Sequence, residues 1–197
     1  MPGGAPVNIL LLGPQGSGKG TQAKRISAEF GIPHIATGDM LRVAMEAETP
    51  LGLRVKPIYE AGRLVPDEIM IELIRERLEE PDAADGFVLD GFPRTTPQAD
   101  ALDAMLREIG RELTVVFALQ VSDEICIERL LKRAREEGRP DDTPEGIRTR
   151  LELYHRETEP LVEHYRAQGH LVTIHADGTP NEVFAEIQAA LEQVAVR

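Results

Sequence analysis

Between Leu12 and Gln22 the chain reads Gly13-Pro14-Gln15-Gly16-Ser17-Gly18-Lys19-Gly20-Thr21, a glycine-rich run that can be built in very few ways. The uncharged run Val7 to Leu12 precedes it and has the length and bounds of a buried strand; Ala23, Ile26 and Phe30 follow at helical spacing. In a bend from strand to helix, G-x-x-x-x-G-K has a specific physical meaning. Small residues let successive backbone N–H groups converge on an anion at the positive end of a helix dipole, and Lys19 adds a point charge. The general pattern places Ser or Thr after the lysine to hold Mg²⁺, whereas this chain has Gly20 there and its hydroxyl one residue later, at Thr21. No direct metal ligation by the bend is therefore expected.

A chain of 197 residues with 42% hydrophobic content can bury the core of one α/β domain with a small inserted lobe. Its 34 acidic and 22 basic residues leave a net charge of −12, which opposes general binding to nucleic acid. Any polyanionic ligand must then meet a local basic patch. No apolar run approaches a membrane span, and residues 1–6 have neither a basic nor a long apolar segment, so they read as a leader and a cytoplasmic location is expected. Cys126, the sole cysteine, rules out an internal disulfide and a cysteine-rich zinc site; it reads as a small buried hydrophobe.

Along the chain, helical and strand patterns alternate, which predicts a parallel sheet covered on both faces. Strands are expected at Val7 to Leu12, near Ile32 to Ile35, at Phe87 to Leu89, Val115 to Leu119 and Leu171 to Ile174. His34 reads as an ordinary strand residue. Helical patterns run from about Met40, over Leu51 to Ala61, and from Pro66; these short helices between two strands suggest an inserted lobe over residues 36–65. Thr-Pro pairs at Thr96, Thr143 and Thr179 mark three helix starts, with Thr as the cap and Pro in the first turn. Pro160 should kink or split its helix near Glu159. Residues 133–142 carry no apolar periodicity and read as a solvated loop.

Ligands in an open α/β sheet bind beyond the carboxyl ends of the strands. That rule puts Asp90, Gly91, Phe92, Pro93 and Arg94 at a site. Asp90 reads either as an acid facing Mg²⁺ through water or as a cap of the turn at Gly91. Arg129, Arg133, Arg135, Arg139, Arg148 and Arg150 concentrate positive charge in an acidic chain. Arg135 and Arg148 read as surface charges, while Arg129 and Arg133, one helical turn apart, together with Arg139 and Arg150, suit phosphate contact. Phosphoryl transfer needs positioning, charge neutralisation and exclusion of water rather than covalent help, and an acceptor phosphate needs no general base.

The stretches GPQGSGKGTQ at 13–22, TGDMLR at 37–42, AGRLVPDE at 61–68, LDGFPRT at 89–95 with Gln98, GRPDD at 138–142 and RTRLELYH at 148–155 together resemble the adenylate kinase family in its short-lid form, over nearly the whole chain from Val7. The resemblance implies a three-layer α/β/α P-loop NTPase core with a five-stranded parallel sheet, made of residues 7–35, 66–131 and 143–197, with an AMP lobe at 36–65 and a short lid at 132–142. It implies that Gly13, Pro14, Gln15, Gly16, Ser17, Gly18, Lys19, Gly20 and Thr21 hold the ATP phosphates and that the turn at Gly178 touches the ATP adenine. Thr37, Arg42, Arg63, Leu64, Val65, Gly91, Phe92, Pro93, Arg94 and Gln98 would hold AMP. Lys19, Arg94, Arg129, Arg133, Arg139 and Arg150 would surround the transferring group, Arg133 on the ATP side and Arg139 and Arg150 also on the AMP side. The implied reaction is reversible, Mg²⁺-dependent transfer from ATP to AMP giving two ADP, by a monomer without zinc.

A UMP/CMP kinase is the nearest alternative; such members tend to carry Ala-Gly-Asp in place of Thr37-Gly38-Asp39 and Asn in place of Thr95. Shikimate or gluconate kinases would not explain Arg94 with Gln98. A regulator that senses ATP without turnover is the alternative of another class, and the set Lys19, Arg94, Arg133, Arg139 and Arg150 argues instead for an enzyme.

Overall fold

The computed structural model describes residues 6–137 and 143–194. Residues 1–5 of the leader and 138–142 of the lid segment, Arg139 among them, lie outside the described residues. Five strands, β1 (Val7–Leu12), β2 (His34–Ala36), β3 (Gly86–Asp90), β4 (Val115–Gln120) and β5 (Leu171–His175), form one sheet in the order β2-β3-β1-β4-β5 with every neighbouring pair parallel. The α/β architecture expected from the alternation is thus the one observed.

Successive strand residues point to opposite faces, and the apolar run of β1 uses both. Leu10 and Leu12 join Phe87, Leu89, Leu102 and Tyr165 in one buried cluster; Ile9 and Leu11 join Val88, Phe117, Ile26 and Ile187 in the other. The first cluster is roofed by α4 (Asp67–Leu78), α5 (Thr96–Glu108) and α8 (Pro160–Ala167), the second by α1 (Lys19–Phe30) and α9 (Pro180–Val194). Full burial of each large aliphatic or aromatic side chain contributes about 1.5–3 kcal/mol, so the layers hold β1 rigidly in the middle. Helices α2 (Thr37–Glu46) and α3 (Pro50–Glu60) form a hairpin whose Leu41 and Val55 join the first cluster.

Strand register brings the ligand-binding edge together. Asp90 at the end of β3 lies opposite Leu11 of β1 on one side and Ala36 of β2 on the other. The chain leaves β1, β2 and β3 side by side, at the point where the strand order reverses.

Three local expectations differ from the structure. The second helix starts at Thr37 rather than near Met40, because Thr37-Gly38-Asp39 forms its first turn with Asp39 at the positive end of the dipole. Thr95, not Thr96, caps α5, its hydroxyl accepting from the Gln98 N–H. Thr49-Pro50, a further Thr-Pro pair, starts α3 in the same way, the Thr49 hydroxyl accepting from the Gly52 N–H. Residues 133–137, read as loop, continue α6 (Asp123–Glu137). The helix has no apolar stripe there because it leaves the core, and the Lys132–Glu136 pair at 3.8 Å supports it from the surface. As expected, the helix before Pro160 is interrupted: α7 (Pro144–Leu153) passes through a π-helical turn at Tyr154–Thr158 before α8 begins.

Candidate active site

The bend after β1 exists because its glycines take conformations that side chains resist. Gly16 has φ +86, and a Cβ there would sit 2.6 Å from the Cys126 carbonyl oxygen; Gly18 has φ +94 and is the N-cap of α1. Helices α3, α5 and α7 receive a threonine hydroxyl at their first turn, but α1 receives no side-chain cap and no acidic residue. Its first N–H groups are left for something else, and an anion is what a bare helix start attracts.

Lys19 is half-buried at this start, donating from Nζ to the carbonyl oxygens of Gly13 at 2.7 Å and Pro14 at 2.8 Å. Burial lowers its pKa from 10.5 to about 8, with Arg94 and Arg133 also pushing down against the opposing pull of Asp90 and Cys126. An ammonium held in this state gains whatever a phosphate restores. Asp90 faces the same space. Burial pushes its carboxyl up, but His34, Lys19 and Arg94 outweigh that and hold it below the usual carboxylate range. His34 Nε2 stands 3.6 Å from Asp90 Oδ2, too long for a hydrogen bond but within electrostatic reach, so the expected strand residue is also a neighbour of the site.

A cleft of about 400 Å³ opens between the bend and the strand ends. Among the described residues, Lys19, Lys24, Arg42, Arg94, Arg129, Arg133 and Arg150 line it against only Asp39 and Asp90, so a chain of net charge −12 presents a positive interior here. Gln15, Gly16, Gly18, Gly20, Thr21 and Gly91 also line it, with His34, Ala36, Gly38, Tyr59 and Leu130. A smaller cavity of about 40 Å³ adjoins it, sharing Lys19, Gly91, Arg94 and Arg150 and adding Leu64 and Pro93.

Arg94 is held by its own turn, Nε donating 2.8 Å to the Gly91 carbonyl, while its carbonyl accepts from Thr158 Oγ1 at 2.8 Å. Gly91, at φ +87, lets Thr37 approach: a Cβ would stand 2.5 Å from Thr37 Oγ1. Thr37 is buried, its hydroxyl donating to the Asp90 carbonyl at 3.4 Å. Arg42 reaches Tyr59 Oη at 2.7 Å and pairs with Asp39. Gln98 is buried; its Oε1 accepts from the Arg94 N–H at 2.8 Å and its Nε2 donates to Asp67 Oδ1 at 2.7 Å.

Arg129 is committed to backbone. Nη1 donates to the Ala176 carbonyl at 2.9 Å and lies 3.4 Å from that of Gly16, while Nη2 lies 3.3 Å from the Gly178 carbonyl. It therefore ties the bend to the segment before α9. Arg133 and Arg150 line the cleft, Arg150 also donating from Nε to the Gly146 carbonyl at 3.1 Å. Arg135 and Arg148 are exposed and outside the cleft, as surface charges would be.

Not every candidate side chain faces the opening. Arg63 is exposed, and Val65 and Phe92 are buried in the core, so those two can offer only backbone to a ligand. Ser17 Oγ is buried without a partner among the described residues. The sequence shows Tyr59 as part of a helical pattern, and Asp67 as part of AGRLVPDE at 61–68 beside a helix-starting Pro66. Neither position carried a signal of its own.

A family profile described as adenylate kinase matches residues 11–170. The chain is 52% identical over 187 residues to the adenylate kinase of Maricaulis maris, covering 95% of this chain and 100% of that protein. It is 49% identical over 189 residues to the adenylate kinase of Caulobacter vibrioides (96% and 99%) and 50% identical over 183 residues to that of Thermus thermophilus (93% and 96%).

Proposed function

Since this chain belongs to the adenylate kinase family, we propose that its cleft seats ATP and AMP end to end and moves the terminal phosphoryl group of ATP to AMP, reversibly, giving two ADP. The observation that supports the division of labour is the convergence of two differently built positive regions on one space. On one side lie the uncapped start of α1 and Lys19; on the other lie the Gly91 turn and Arg94.

Residues Gly13 to Thr21 hold the ATP phosphates, by backbone N–H groups and by a Lys19 ammonium that leaves the Gly13 and Pro14 carbonyls for phosphate oxygen. Gly178 meets the ATP adenine on a segment that Arg129 fixes to the bend. Thr37, Arg42, Gly91, Pro93, Arg94, Gln98 and the backbone of Arg63 to Val65 hold AMP. The attacking oxygen of AMP is already anionic, so no side chain removes a proton. Arg94, Arg133, Arg150 and Arg139 neutralise charge as the bond to the ADP leaving group breaks and that to the acceptor forms.

Asp90 suits Mg²⁺ carried with ATP: its carboxylate is held ionised at the cleft wall, and Gly20 beside it leaves room, a Cβ there standing 3.6 Å from Asp90 Oδ2. Asp90 would hold the ion through water, and the ion would offset phosphate charge. The inserted lobe 36–65 and lid 132–142 would close over the two nucleotides and expel water. No helix among the described residues is long and apolar enough to cross a membrane. We read the protein as a monomer working in the cytoplasm.

A coupled assay of ATP and Mg²⁺ with AMP, CMP, UMP, dTMP and GMP in parallel tests this reading. AMP should be the preferred acceptor. Preference for a pyrimidine nucleotide, or ATP binding with no turnover on any acceptor, would overturn it.

A further inference from the structure

The strongest unassigned polar arrangement stands beside the AMP side of the cleft. Gln98 is 2% exposed, and both ends of its amide are engaged by groups that accept only one orientation. The Arg94 backbone N–H is a donor and nothing else, so the amide group 2.8 Å away must be oxygen. Asp67 Oδ1, when ionised, accepts and nothing else, so the group 2.7 Å from it must be the amide NH₂. The Thr95 hydroxyl also donates to Asp67 Oδ1, at 2.9 Å, and steadies the carboxylate from the side. Two hydrogen bonds leave the amide with one N–H and one oxygen lone pair, set in a fixed order.

We propose that Asp67 is a specificity-determining positioning residue: by locking the Gln98 amide it makes the acceptor site select a base with a ring-nitrogen acceptor beside an amino donor. Adenine offers that pair to an amide; hypoxanthine, guanine and uracil offer an N–H beside a carbonyl oxygen, the reverse order. Cytosine has the adenine order, so the lock leaves exclusion of CMP to other contacts. The proposal rests on the reading that Gln98 meets the AMP base. Asp67 itself need not touch the nucleotide. It is the first residue of α4, where the inserted segment rejoins the core, so the sequence around it shows a helix start and no link to Gln98.

The test compares AMP with IMP, which keeps the purine outline and reverses the hydrogen-bonding order. Asp67→Asn keeps the shape but can present either an oxygen or an NH₂ to Gln98, so the Arg94 N–H is left as the one partner that fixes the amide. Its kcat/KM ratio for AMP over IMP should fall about tenfold, the worth of one hydrogen bond to a charged group. The change should lie in the acceptor KM values, with KM for ATP within about twofold of wild type. Asp67→Ser, too short to reach Gln98 yet suited to a helix start, should act alike and serves if the Asn variant does not fold; Asp67→Glu should recover part of the ratio. An unchanged AMP:IMP ratio in a folded Asp67 variant overturns the proposal. Gln98→Ala separates the two readings: a collapsed ratio there with an unchanged ratio in Asp67→Asn defeats the lock alone, whereas an unchanged ratio in Gln98→Ala defeats the base contact and the lock with it.

Discussion

Replacing Lys19 by Met separates what this residue costs the fold from what it gives the reaction. The half-buried ammonium has its pKa lowered from 10.5 to about 8, which at about 1.4 kcal/mol per tenfold means the protein disfavours the charged form by roughly 3 kcal/mol. Met removes that burden but strands the Gly13 and Pro14 carbonyls, each lost partner costing about 1–3 kcal/mol. The opposing effects nearly cancel, so stability should change by less than about 2 kcal/mol, a shift in Tm of less than about 8 °C for a chain of this size. Turnover should fall about 100- to 1,000-fold, the usual effect of deleting one donor aimed at developing charge. The pH dependence gives an independent reading. The folded pKa lies below the unfolded one, so between pH 8 and 10.5 the unfolded chain keeps a proton that the folded chain has released, and raising pH through that window stabilises the wild type. Cys126, raised from 9.0 to about 11 mainly by burial, works the other way from pH 9 upward in both proteins, so the difference between them reads Lys19 together with its coupling to Cys126. Coupled ADP-formation assays and thermal unfolding at pH 7.5 and 9.5 decide the matter. Wild-type turnover in a folded Lys19→Met protein, or identical pH dependence of the two Tm values, would refute the reasoning.

Three further outcomes follow from the structure. Gly52→Ala would place a Cβ 1.9 Å from the Ala44 carbonyl oxygen, forcing α2 and α3 apart at a cost of about 3 kcal/mol, with a lower Tm and a raised KM for AMP; a variant that melts like wild type contradicts this packing. Arg129→Lys gives up the planar fork that joins Gly16 to Ala176 and Gly178, so KM for ATP should rise about tenfold while KM for AMP stays within about twofold, and equal changes in both would count against the bridge. His155 lies 2.9 Å from Glu159 and 3.0 Å from Asp123, and the Glu159 bond, with Asp123, raises its pKa above 6.5. A raised folded pKa gives stability that is present below pH 6.5 and lost as pH climbs through the folded value, so wild type should lose more Tm than His155→Gln between pH 6 and 8; parallel profiles would exclude the effect.

The sheet and the glycine-rich bend were legible because their signals are local. Val7 to Leu12 is apolar on both faces, and the glycines at 16 and 18 mark a path closed to other residues. The helical extension over 133–137 was hidden because, outside the core, burial leaves no stripe to read and charge pairing carries the helix. The roles of Arg129 and Asp67 were hidden for a different reason. Sequence placed Arg129 among the phosphate-binding cations, but only the fold brings it to the carbonyls of Gly16 and Gly178; Asp67 lies 31 residues from Gln98, and no periodicity links them.

A crystal structure with two adenosines joined by five phosphates bears most directly on the seating of two nucleotides across one cleft. The phosphate chain should lie on the N–H groups of Gly16 to Thr21, with Lys19 Nζ turned to phosphate oxygen, one adenine near Gly178 and the other at Gln98. A bend without phosphate, or both adenosines on the same side of Arg94, would contradict it.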